Sequence, residues 1–231
     1  MRREPITIYL EIGQKKVFAG AVEWPGWCRA GRDEAAAIQA LLAYGPRYGR
    51  ILQAANISFQ APTDTAALAV VERLAGNATT DFGAPDAVPA SDIAPFGEND
   101  LPRYEMLLPA YWQGFDTAVQ SARGKELRKG PRGGGRDLEK IMEHVLGAEA
   151  SYLRQLGWKH KVNSEASPHD ELKRIRPEIL EALAAAAGGE LPQQGPRGGT
   201  RWPPRYFIRR SVWHLLDHAW EIEDRIVEGG E

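Results

Sequence analysis

The hydrophobic period changes along this chain, and that change limits the available folds more than any other feature. Residues 5–12 (PITIYLEI) and 16–24 alternate, with Ile6, Ile8, Leu10 and Ile12 on one face and Gly13-Gln14 as a turn between the runs. Pro25-Gly26 stops the second run. Over residues 31–44 the spacing becomes helical: acidic residues open the segment, Ile38, Leu41 and Leu42 recur, and Gly45-Pro46 ends it. Residues 57–60 and 66–74 read as further short strands. The first part is therefore predicted to be a small α+β module, a few strands against one or two helices.

Residues 84–102 are rich in Pro, Ala and acidic side chains and follow neither period, so they read as a linker. This divides the chain into a domain over 1–90 and another over 91–231. The second is helical in character throughout, with segments at 101–122, 136–157, 168–187 and 206–227 separated by breaks at 124–135, 158–167 and 188–204, the first and last of them rich in Gly and Pro. Four helices of about 20 residues are each about 30 Å long, which suits an all-α up-and-down four-helix bundle. In that order the second and fourth helices run parallel. The basic connections 123–136 and 197–205 then meet at one end, as a positive rim for an anionic substrate or as two solvated loops.

Composition narrows the function classes. Lys+Arg 29 against Asp+Glu 31 gives no global charge for nucleic acid or an anionic membrane. A single cysteine, Cys28, excludes an internal disulfide framework and any Cys-rich zinc module. Beside Arg29, it reads as packed and inert. No apolar run approaches a bilayer-spanning length, and the N-terminal residues lack the apolar core of a secretory signal. The expectation is a cytoplasmic protein. Asp81-Phe82-Gly83 has none of the companions of a kinase metal-binding tripeptide and reads as a turn.

Three of the five histidines fall on two of the predicted helices: His144, His214 and His218. His214 and His218 are four apart, on one helix face, as two imidazoles sharing a metal often are. With the two helices parallel, the rise per residue places His144 and His214 about 12 Å deep and His218 about 18 Å. The three would line the shoulder of the core, near Glu221 and Arg225. Glu149 and Glu223 project into apolar stripes, where a carboxylate must be paired, protonated or metal-bound. Glu149 is read either as part of a buried pair or as a carboxylate serving a metal centre. His160 and His169, around the break between the second and third helices, are expected to meet water.

These residues carry a resemblance. Met142-Glu-His-Val-Leu-Gly-Ala-Glu149 with Tyr152-Leu153, and Leu215-Leu-Asp-His-Ala-Trp-Glu-Ile-Glu-Asp-Arg225, resemble the second and last helices of the DinB/YfiT-like family over about 130 residues. The resemblance implies a four-helix bundle with a divalent metal, zinc or nickel, on His144 and an HxxxH pair. It further implies thiol-dependent transfer or isomerisation on a small-molecule substrate with a low-molecular-weight thiol. Two alignments of the last helix stay open. In one, His214 and His218 are the pair; in the other, His218 takes the first position and Ile222 stands where the second histidine belongs. Glu23-Trp-Pro-Gly-Trp-Cys-Arg-Ala-Gly31, running into Asp33-Glu-Ala-Ala36, is similar to the strand–turn–helix of HicB-like antitoxin domains.

The expected function is thus a metal-dependent enzyme, with His144, His214 and His218 as ligands and Glu149 and Glu221 as nearby carboxylates. The alternative is a non-catalytic stress-related or regulatory binding protein. Its HicB-like module would contact protein or RNA, and its bundle would be scaffold or a homodimer surface.

Overall fold

A computed structural model describes residues 4–129 and 135–227. They form two compact units: Met1–Ala94 with Ile208–Trp213, and Pro95–Phe207 with His214–Glu231.

In the first unit, β1 (Ile6–Ile12), β2 (Val17–Ala21), β3 (Cys28–Gly31) and β4 (Leu68–Ala75) form one mixed sheet in the order β3-β2-β1-β4. β1 pairs antiparallel with β2, with Leu10 opposite Ala19, and parallel with β4, with Ile8 opposite Val70. Between β3 and β4 the chain passes through α1 (Glu34–Ala54), whose buried face is Ala37, Leu41, Gly45, Tyr48 and Leu52. Asp33 caps α1 by accepting a 2.8 Å bond from the Ala36 amide, which satisfies one of the free donors of its first turn.

Three local expectations are corrected here. Gly45-Pro46 does not end α1, which continues for two more turns. An interior proline costs about 3 kcal/mol, and here the buried Tyr48 and Leu52 beyond it offset that cost. Residues 57–60 are not a strand. Phe59 instead closes an aromatic cluster with Trp24, Trp27 and Tyr48 at ring separations of 4.9, 5.3 and 5.2 Å. After Pro25-Gly26, the chain forms β3 before entering the helix.

The segment expected as a linker is also held in part. Asp86 and Ala87 donate backbone amides to the buried Glu11 carboxylate at 2.9–3.0 Å. The short α2 (Ala78–Phe82) and α3 (Ala90–Ile93) flank this stretch. Asp92 of α3 is buried and receives two bonds from Arg209, at 2.6 and 2.8 Å. Asp81 accepts the Lys15 amide at 2.7 Å and so clamps the β1–β2 turn, while Phe82 beside it is 88% exposed.

The long helices are α4 (Leu101–Ala122), α5 (Leu138–Leu156), α6 (Pro168–Ala187) and α7 (Pro204–Arg225), the last crossing the Ile208–Trp213 segment counted with the first unit. Asp137 and Ser167 cap α5 and α6 through the Lys140 and Asp170 amides. Gly157 ends α5 at φ +106°, in the left-handed region that favours glycine. Among the described residues no helix is long and apolar enough to cross a membrane.

The helix directions differ from those expected. Trp202 donates its amide to Gln155 O at 2.9 Å, so the start of α7 lies at the end of α5. Arg225 donates to Arg136 O at 2.8 Å, so the end of α7 lies at the start of α5. These two helices are therefore antiparallel, not parallel. Arg205 pairs with Asp100 at 2.5 Å, and Arg225 bonds Arg128 O at 2.8 Å, which aligns α7 with α4. A surface cleft brings Glu139 and Glu143 of α5 beside Ser167, Pro168 and Glu171 at the start of α6, so α5 and α6 are parallel. The order is up, down, down, up. The connection 157–167 is a crossover, and at roughly 3.3 Å per residue it is long enough to retrace α5.

Candidate metal centre

α5 carries His144 one turn and a half from its start, and α7 carries His214 and His218 on one face. Because the helices are antiparallel, the middle of α7 meets the first half of α5, and the three imidazoles converge. One ring nitrogen from each lies within 4.8 Å of the others. Nε2 of His144 is 3.1 Å from Nε2 of His214. The ring centroids are 4.9, 4.9 and 4.6 Å apart. Zinc–nitrogen bonds of about 2.0–2.1 Å in a tetrahedron hold two ligand nitrogens about 3.3 Å apart, close to the His144–His214 spacing.

The third histidine is oriented from behind. His218 Nδ1 is 2.7 Å from Glu221 Oε2. An ionised carboxylate accepts, so Nδ1 carries the proton and Nε2 keeps its lone pair for a ligand. The bond from His218, and then Arg225, hold the Glu221 carboxyl below its ordinary range, against partial burial. Arg225 donates to Glu221 at 2.6 Å and is itself fixed on the carbonyls of Arg128 and Arg136. Burial, followed by the charge of Arg136, lowers the pKa of His144 and favours the neutral imidazole that binds metals. His214 is buried, and the His218 side chain is 12% exposed.

Aromatic rings adjoin the histidines toward the start of α7. Tyr152 stands 5.9 Å from His214 and 5.3 Å from Trp202, and Trp202 stands 4.9 Å from Tyr206. Residue spacing puts Tyr152 about two turns beyond His144 and about 80° round the helix from it. Nothing local pairs it with Trp202, fifty residues further along the chain.

The structure brings Glu221 to the histidines but not Glu149. Glu149 is buried near Arg176 and Asp116, its Oε2 has no hydrogen-bond partner among the described residues, and burial pushes its pKa up to about 7. Arg176 is bound to Asp116 at 2.7 and 2.8 Å. Glu223 is exposed and not in an apolar stripe. His160 does not meet water: its side chain is fully buried, with Nδ1 2.9 Å from Glu178 and Nε2 3.5 Å from Glu171. His169 is partly exposed.

Cys28 is buried, and burial pushes its thiol up to about 12, which removes it as a nucleophile at neutral pH. The two basic connections lie at opposite ends of α7, Arg128 and Arg136 at its end and Arg205 at its start, so they form no common rim. Residues 130–134 of the first connection lie outside the described residues.

No family model, curated protein or solved structure is matched by this chain.

Proposed function

We propose that the helical unit is a DinB-like four-helix bundle holding a divalent ion, zinc or nickel, on His144, His214 and His218, and that the protein is a metal-dependent enzyme of the thiol-transferase or isomerase kind. The observation that carries this reading is the convergence of three ring nitrogens within 4.8 Å, from two antiparallel helices. The fit is chemical as well as geometric. His144 is biased to its neutral form, and Glu221 leaves the Nε2 lone pair of His218 free. A bound divalent ion supplies Lewis acidity, which lowers the pKa of a thiol or water at an open position. The chain's own part is to present three neutral donors, to fix the His218 ring through Glu221, and to hold Glu221 through Arg225.

Glu221 serves the centre by orienting His218 from behind, its two oxygens taken by His218 and Arg225, while Glu149 is a buried acid remote from the histidines. For the first unit, a mixed sheet with β4 parallel to β1 and a single long helix supports a HicB-like module.

Metal analysis of protein purified without an affinity tag tests the proposal. About one equivalent of zinc or nickel, lost in His144→Ala and His214→Ala, is expected. A second reading rests on the 3.1 Å N···N distance between His144 and His214, which also suits a hydrogen bond between two neutral imidazoles in a metal-free scaffold. A metal-free preparation whose melting is unmoved by added zinc or by chelator would establish that reading instead.

A further inference from the structure

Trp202 is presented stiffly. Its amide is bonded to Gln155 O at 2.9 Å, and Pro203 and Pro204 follow it, restricting its own backbone as well as theirs. Its ring is tilted by 33° against Tyr152, and both residues are only partly buried. Tryptophan and tyrosine left half-open beside one another form an apolar wall with low rotamer entropy, suited to a flat ligand. That wall continues into the histidines, since Tyr152 meets the His214 ring edge-on.

The charge balance specifies more. A divalent ion held by three histidines has no carboxylate among its direct ligands to offset its charge, and Glu221 is already paired with Arg225. The centre therefore attracts an anion. Adjoining Trp202, Arg201 packs its side chain over Gly157, and its Nη1 is shielded from water with no hydrogen-bond acceptor among the described residues. A guanidinium left so is satisfied by an anionic oxygen.

We infer that Tyr152 and Trp202 form the specificity wall of the three-histidine centre, taking the flat apolar part of a small anionic ligand whose charge Arg201 meets. This rests on the metal-centre reading for its catalytic meaning, while the wall itself is made by side chains that are in place without the ion.

The test measures dissociation constants of the full chain, metal-free and zinc-loaded, for naphthalene-2-carboxylate, acetate and naphthalene-2-methanol. Naphthalene-2-carboxylate is expected to bind about tenfold or more tighter than acetate. Trp202→Ala and Tyr152→Leu should remove that ring preference, and Trp202→Phe should keep most of it. Arg201→Gln should abolish the preference for the carboxylate over the alcohol. None of these changes should alter zinc stoichiometry. A ring preference that is absent, or that survives both Trp202→Ala and Tyr152→Leu, overturns the wall. If zinc binds normally in that case, the metal reading stands. If zinc fails to bind while naphthalene-2-carboxylate still depends on Trp202, the wall is supported and the metal reading alone falls.

Discussion

Glu149 shows what burial does to a single carboxyl. Its pKa of about 7 against an ordinary 4.5 comes first from desolvation, opposed by Arg176 and reinforced by Asp116. The folded state therefore binds more protons than the unfolded chain between those values, and stability falls as pH rises through that window. The neutral acid is tolerated below about pH 4.5, and above pH 7 a penalty of roughly 3 kcal/mol is fully present. Glu149→Gln is expected to be more stable than the parent at pH 8 and to show no such gain at pH 4.5, read from urea unfolding at both values. Glu221 has the opposite character, because bonds from His218 and Arg225 favour its charged form. Replacing it by Gln should weaken zinc binding by about 10–100-fold, as loss of an outer carboxylate does. Unchanged affinity, measured by chelator competition, would mean the His218 ring is held by other contacts.

At the level of elements, close approach matters more than propensity. On β2, a Cβ at Gly20 would fall 2.5 Å from the ring of Tyr9 on β1. The two face each other across the strand pair, so the glycine is required by the ring that covers it. Gly20→Ala should destabilise by about 1–3 kcal/mol through overpacking. Adding Tyr9→Leu should recover part of that loss, a non-additivity that thermal or urea unfolding of the double variant would reveal. The same reasoning explains why α1 passes through Pro46. Local chemistry there argues for an end, and the packing of Tyr48 against Trp27, stacked at 5.8 Å, argues for continuation. The Asp33 cap is local by contrast, because its hydrogen bond to the Ala36 amide closes within three residues.

At the scale of the whole molecule, α7 serves two units, since Ile208–Trp213 is counted with the first and the histidines with the second. Arg209 supplies the buried partner of Asp92 and also bonds the carbonyls of Ala21 and Val22 at 2.7 and 2.9 Å, while Trp213 meets Phe18 edge-on at 6.1 Å. A fragment of residues 1–94 lacks both side chains and leaves Asp92 a buried, uncompensated charge, which costs about 3–5 kcal/mol. It is expected to lack cooperative unfolding and amide dispersion in solution, whereas a well-folded fragment would show that α7 is dispensable to the sheet. The sequence by itself determined the order of strands before helices, the limits of the long helices to within a few residues, and the histidines and Glu221 as neighbours in spacing. Those follow from side-chain period and capping, which act over one to four residues. Only the tertiary structure decided that the break after α5 is a crossover, that α5 and α7 oppose each other, that Glu149 is remote from the histidines, and that Trp202 stands beside Tyr152. Each depends on where a connection leads, and a polar segment such as 158–167 can turn back or span a helix equally well until the packing of apolar faces selects one course.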